Sequence, residues 1–487
     1  MLSLNKNIHK TQSEETDFSS FINMITLMKD NPKNQTIQKQ GCVFLKENCK
    51  HFKKKKNEKI KIEAVNVISQ SLNNFSKNPF IQQNSISFLI SISPKLKNKI
   101  HITKPKIIRL VIDAMKKFKN HKFIQELGIQ FLSNIIELLS SKKKIDYPKI
   151  DLIPTIIDTM QNFSKNPQIQ IYGCIFLGNF IFETREQISQ IRKFKPADFI
   201  INILNNFPGN QEVQKHAFKS LGNFISLYED IKFEIRNLKG IELIIQSMNK
   251  YTQDELIQEI GCCNLANLSF KNKKNQTEIS KLNGIEAIIN AMESFPESEY
   301  IQESANCALL NNSLHFQKNA IKIEKLNGIQ LILNAMKKFP LHQEIQDLGC
   351  CNLAIISLNR NDPKIKILAL GGIELIIKAM NDFPNNPAIQ RNGCGALWTL
   401  STQEKNQIEI SKLNGIEKII NAMKSFPNNQ DIQYAGCCSL NNISLVPRNK
   451  NEILKFGGFK TIKDSLVIFP NHSEIQKWGS IFLNKFN

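Results

Sequence analysis

An Ile-Gln or Val-Gln dipeptide returns eleven times along the 487 residues, always 43 to 45 residues after the last, from Ile37-Gln38 through Val213-Gln214 to Ile475-Gln476. A period of that length means that each unit is one supersecondary element that cannot bury its apolar face alone and must stack on its neighbours. Other positions hold the same frame. Met or Leu lies ten residues before the Gln, from Met28 to Leu466. A small residue lies three after it (Gly41, Ser85, Gly128, Gly173, Ala217, Gly261, Ala305, Gly349, Gly393, Gly436, Gly479), and Leu four further on, from Leu45 to Leu483. The register implies a non-repeat segment at 1–17 and a single solenoid over 18–487, with basic repeats at 18–150 and regular ones at 151–487.

The unit at 275–318 parses into three helices. Asn275 to Gly284 reads as a short helix stopped at Asn283-Gly284, where a left-handed residue is tolerated. Ile285, Ile288, Ile289, Met292 and Phe295 then form one helical stripe, ended by Phe295-Pro296 because a residue before proline leaves the helical region. Glu297 to Glu299 open a third helix carrying Ile301, Ala305, Leu309 and Leu310. The small residue three after Gln is expected where helices of adjacent repeats approach closely.

A short helix ending in Gly, an amphipathic second helix and a third reading Gln-x-x-Gly-x-x-x-Leu-x-Asn-Leu resemble armadillo repeats, most clearly at Glu255 to Ser269 and at Ala388 to Ser401. Within that family, Ala-Met-x-x-Phe-Pro followed by Ile-Gln-x-x-Gly-Cys is similar to the armadillo segment of leucine-rich-repeat kinases. The resemblance implies an all-α, armadillo-type α-solenoid, a right-handed superhelix of about eleven three-helix repeats, whose third helices line a concave groove. Family members use an Asn on the third helix to hold a peptide backbone, since an amide both donates and accepts. The equivalent positions here are Asn134, Asn179, Asn223, Asn267, Asn311 and Asn442. Repeats eight and nine carry Ile355 and Thr399 there instead, and repeats one, two and eleven Glu47, Ser91 and Lys485. The competing reading is that these Asn side chains bond the inter-repeat loops. Nuclear import adaptors of this fold add a Trp four residues before the Asn; Gln130, Ile175, Lys219, Cys263 and Cys307 stand there, which disfavours that role.

The net charge of +21 is uneven. Residues 1–150 hold 28 Lys/Arg against 11 Asp/Glu, whereas the other 337 residues hold 36 against 32. The clusters Lys53, Lys54, Lys55, Lys56 and Lys142, Lys143, Lys144 fall in matching inter-repeat loops and form a candidate basic patch for nucleic acid or an anionic surface. Only seven of the 64 cations are Arg, and Lys, Asn and Ile are abundant throughout, so solvated loops are the competing reading.

The eleven cysteines match no zinc spacing, and their place in the repeat points to packing. Adjacent pairs such as Cys262-Cys263 are expected on different sides of a helix. No phosphate loop, Gly-x-Gly-x-x-Gly, His-Glu-x-x-His or nucleophile elbow is present, and the eight histidines share no ligand spacing. No apolar run approaches the ~18 residues needed to cross a bilayer. The expectation is a non-catalytic, monomeric scaffold or adaptor in the cytoplasm or nucleus, without cofactor or metal, that binds an extended segment or helix of a protein partner. The alternatives are a nucleic-acid or anionic-surface binder acting through the basic repeats, and a regulatory module related to leucine-rich-repeat kinases. The frame runs on to Asn487 without a polar capping repeat, which implies an exposed docking end or a longer reading frame.

Overall fold

Residues 19–49, 58–95, 101–140, 152–180, 189 and 191–486 are described by the structure, a computed structural model. Among them every regular element is a helix, and the architecture is an all-α solenoid. The chain divides into two compact units, 1–224 and 225–487.

In the C-terminal unit each repeat shows three helices. In repeat seven they are Lys273–Lys281, Gly284–Ser294 and Glu299–Ser313. The third helices Glu255–Ser269, Glu299–Ser313, Gln343–Ser357, Pro387–Leu400, Gln430–Ile443 and Ser473–Leu483 stack in sequence, each on the next. In the N-terminal unit the third helices Gln35–Asn48, Pro79–Ile92, Lys122–Ser140 and Pro167–Asn179 do the same. The core sits between second and third helices. Ten of the eleven frame Leu residues, Leu45 to Leu440, are buried, and Leu265 and Leu353 are wholly so.

The recurring Gln has a structural task in every repeat. A helix leaves its last carbonyls without intrahelical partners. The Gln side chain, lying near the start of the third helix, turns back to the end of the second and donates to two carbonyls there, the later of which also accepts from a backbone N–H, as Phe295 O does from Ser298 N. Its Nε2 donates to the carbonyl ten residues earlier at 2.7–2.9 Å and to the one seven residues earlier at 2.9–3.1 Å, in all eleven repeats. In repeat seven the acceptors are Met292 O and Phe295 O, and Gln302 is buried. A primary amide is suited to this because it carries two donors on one nitrogen, one per carbonyl.

The small residue three positions on has a different partner from the one its pattern implies. A Cβ on Gly349 would lie 2.6 Å from both Cγ and Sδ of Met336, and one on Gly393 would lie 2.5 Å from Met380 Cγ. Gly41, Gly128, Gly173, Gly261 and Gly436 meet Met28, Met115, Met160, Met248 and Met423 in the same way. The close approach is therefore between second and third helices of one repeat, not between adjacent repeats. A long, unbranched Met fills the space that the glycine vacates. Three repeats lack the Gly: Ser85 and Ala217 face Leu72 and Leu204 in the frame, and Ala305 faces Met292.

The corner between first and second helices divides its work between two residues. Asn283 takes the left-handed conformation (φ 61°), as do Asn327, Gly371, Asn414 and Gly457 at the same corner. Gly284 itself is helical; a Cβ there would stand 2.6 Å from Ile279 Cγ2 and 2.9 Å from Ile279 O. Asn tolerates the positive φ, while the glycine permits the contact.

Gln302→Leu is expected to destabilise the chain by roughly 1–3 kcal/mol, since Met292 O loses its donor and Phe295 O is left with the backbone N–H of Ser298 alone. Urea denaturation followed by circular dichroism checks this; a midpoint unchanged within error would refute the latch. Gly393→Ala should lose about 1–3 kcal/mol by overpacking, and adding Met380→Leu should return part of it. Strict additivity of the two changes in the same measurement would refute the pairing.

Candidate functional site

The third helices present one stripe that neighbouring helices leave uncovered. It falls one, five and nine residues after the Gln, spacings that keep to one helical face. In repeats six, seven and eight the stripe reads Glu259-Cys263-Asn267, Glu303-Cys307-Asn311 and Asp347-Cys351-Ile355, all half-buried except the exposed Cys263. Three residues further, at the helix end, stand Phe270 (44% exposed), the half-buried Leu314 and Leu358 (42% exposed). Across three repeats the face thus carries a carboxylate row, a thiol row, a row with amides in two repeats, and an apolar rim. In repeat nine the same stripe holds Arg391, Gly395 and Thr399, and in repeat ten Tyr434, Cys438 and Asn442.

Asn134, Asn179, Asn223, Asn267, Asn311 and Asn442 are all half-buried. Four of these amide nitrogens make contacts within the scaffold. Asn223 donates to Gly178 O, and Asn311 Nδ2 to Ala266 O at 3.1 Å, each reaching the third helix of the preceding repeat. Asn267 Nδ2 lies 3.7 Å from Cys263 Sγ and Asn311 Nδ2 3.6 Å from Cys307 Sγ, while Asn442 Nδ2 donates to Ser401 Oγ at 3.2 Å. These bonds run between stacked third helices or back along one helix. Lys53, Lys54, Lys55, Lys56, Lys142, Lys143 and Lys144 lie outside the described residues.

The carboxylate row was not singled out by the sequence reading, although the residue after each Gln discloses it. Burial raises the Glu303 carboxyl above its ordinary range, opposed by His342, whose Nε2 is 3.5 Å away, and reinforced by Glu344 and Glu299. Burial also raises Asp347, against its bond from Asn392 Nδ2 at 2.7 Å and the nearby Arg391. His342 meanwhile caps its own helix, Nδ1 accepting from Ile345 N at 3.4 Å.

The cysteines divide by position. Cys42, Cys174, Cys262, Cys350, Cys394 and Cys437 are buried, and burial pushes the Cys42 thiol up to about 11 and those of Cys174, Cys394 and Cys437 to about 12. Cys263 is exposed and Cys307 and Cys351 half-buried, whereas Cys438 is buried like its neighbour Cys437. Burial raises the face thiols also, Cys351 to about 11, so none is primed as a nucleophile. Among the described residues no group of three or more His, Cys, Asp or Glu is placed to hold a metal ion, and no helix is long and apolar enough to cross a membrane.

The LRRK2 ARM repeat family matches residues 143–328 and 318–447, more than half of the chain. The chain belongs to that family. The C-terminal domain of proteins like the zer-1 homolog matches residues 26–168, so the two matches together reach from the first repeat to the tenth. No curated protein matches the LRRK2-type repeat chain. Among solved structures, one from work on a phosphorylation switch that controls the interaction between cadherin and beta-catenin superposes with a TM-score of 0.57. That likeness covers 95% of this chain and 98% of the other at 12% identity, and it shows the fold.

In the native protein Cys263 should react first with iodoacetamide, then Cys307 and Cys351, while Cys42, Cys174, Cys262, Cys350, Cys394 and Cys437 react only on unfolding. Mass spectrometry of the labelled peptides reads the order; early labelling of Cys350 ahead of Cys351 would mean that the face is assigned to the wrong side of the helix.

Proposed function

We propose that the chain is a non-catalytic scaffold that holds a segment of another protein against the third-helix face of its C-terminal unit. The observation that carries the reading is the uncovered stripe in consecutive repeats, with its carboxylates, thiols and apolar rim recurring in register. A surface that repeats its chemistry every 44 residues from Gln258 to Gln346 fits an elongated partner better than a small molecule, which needs a converging pocket. The protein-binding context of the beta-catenin work supports the same reading by likeness of fold. The excess of 17 positive charges in residues 1–150 favours a second activity, attachment to an anionic surface or nucleic acid, which counterion release would make strongly salt-dependent.

Affinity purification of the whole chain at two salt concentrations, with mass spectrometry of what is retained, separates the two. A face-bound partner should slow the alkylation of Cys263, Cys307 and Cys351 and be lost from a folded Cys263→Trp variant, whereas a partner of the basic repeats should be lost at the higher salt and leave the three thiols labelling at the free rate. Retention of every partner by that variant, with the three thiols labelling at the free rate, would remove the face from the account.

A further inference from the structure

The bands on the third-helix face of repeats six to eight have a geometry that selects among partner segments. The carboxylates Glu259, Glu303 and Asp347 and the rim residues Phe270, Leu314 and Leu358 are eleven residues apart along each helix, a separation of about 16 Å at 1.5 Å per residue. An α-helix with its side chains is about 10–12 Å across. One helix laid across the repeats, over the thiol row, can therefore reach the carboxylates with long cationic side chains on one flank. Its other flank then rests apolar side chains on the rim.

The step from repeat to repeat fits as well. Packed helices stand about 8–10 Å apart, and seven residues of helix advance about 10.5 Å while returning to nearly the same face. An extended segment is served less well. Gripping a backbone along three repeats needs a row of side-chain amides with donors to spare, but Asn311 Nδ2 is bonded to Ala266 O and Cys307 Sγ, Asn267 has one of its two N–H groups against Cys263 Sγ, and repeat eight offers Ile355. A helix brings no unpaired backbone and needs no such grip.

We propose that this face receives an amphipathic basic helix of a partner protein, with Lys or Arg recurring every seven residues over Glu259, Glu303 and Asp347 and an apolar flank on Phe270, Leu314 and Leu358. The inference rests on the docking face proposed above and adds the class of segment. Charge complementarity argues for it: these three repeats set carboxylates in a protein of net charge +21, and burial already disfavours the ionised forms of Glu303 and Asp347, so a cation placed there is welcome. The match ends at repeat nine, where Arg391 replaces the carboxylate and Thr402 the rim residue.

The probes are three synthetic peptides of about 22 residues, some 33 Å as helix. One is a helix former with Lys at every seventh position and Leu on the adjoining face. The second is a helical isomer of the same composition with the Lys positions scattered, and the third carries the same Lys and Leu content on a Pro-containing extended chain. Fluorescence anisotropy with the full-length protein is expected to show the first binding at least tenfold tighter than the other two, a difference of about 1.4 kcal/mol. It should also slow alkylation of Cys307 and Cys351. Glu259→Gln/Glu303→Gln/Asp347→Asn should weaken that peptide at least tenfold and flatten its salt dependence. Glu303→Gln alone should act in the same direction if the triple variant melts early. Equal binding of the two helical peptides, or binding of the first untouched by the carboxylate changes, overturns the proposal. Tighter binding of the extended peptide with protection of the same thiols overturns the helix but leaves the docking face standing. Protection of those thiols by no peptide and by no purified partner overturns both.

Discussion

A single amide, buried in every repeat but the last, joins the second and third helices of each repeat. The second helix must stop where the chain turns toward the third, and stopping leaves a carbonyl such as Met292 O without a backbone donor, while the next, such as Phe295 O, has only the turn's own N–H. The Gln of the third helix meets both with one nitrogen, in every repeat from Gln38 to Gln476. That bond pair fixes the third helix relative to the second, and the Met–Gly contact one turn away sets how closely they approach. Once both are fixed, the frame Leu has one place to go, and stacking of like on like follows. An unpaired buried carbonyl is expensive enough that the position accepts few substitutes, which is a physical reason for one residue type to recur at a position that touches no ligand.

Much of this was legible in the sequence. The period, the three-helix parse, the buried frame Leu and the packing of Cys42, Cys174, Cys262, Cys350, Cys394 and Cys437 all follow from spacing and residue size. The family resemblance agrees with the LRRK2 ARM repeat match. Two causes were not legible. Spacing shows that residue 349 must be small but not what presses on it, because Met336 lies thirteen residues away on another helix and only the crossing brings them together. The Gln was visible as a marker of the period, yet its task depends on the turn that points it backward. For the same reason Asn-Gly at the first corner reads as one signal, while the structure splits it into a left-handed Asn283 and a close-approach Gly284.

The site was less legible than the fold because its residues are not the ones that recur everywhere. Asn311 stands where the family resemblance places a peptide-holding amide, and its nitrogen bonds Ala266 O of the preceding repeat. A side chain already spent on joining two helices offers a partner its remaining acceptor rather than a donor–acceptor pair. Glu259, Glu303 and Asp347 would have been found by writing out the residue after each Gln, a column that ranges over Lys39, Ile171, Arg391 and Tyr434 as well. Variation in that column looks like noise until the geometry shows that it faces outward.

The contrast between the two kinds of position is the physical ground for the proposed docking face. Residues facing the core of a repeat are held by the Gln bonds, by the contact of a Met or Leu with a small residue, and by the Leu, constraints that vary little from unit to unit. The outward stripe escapes those three constraints, although Asn223, Asn311 and Asn442 in it bond the preceding repeat and Thr399 and Cys438 are buried. Over three repeats the stripe keeps one pattern, carboxylate then thiol, and at Arg391 it abandons both together although the scaffold beneath, Gln390 with Met380 and Gly393, is unaltered. Neither the Gln bonds nor the Met–Gly contact requires that change. It falls where the proposed docking face ends.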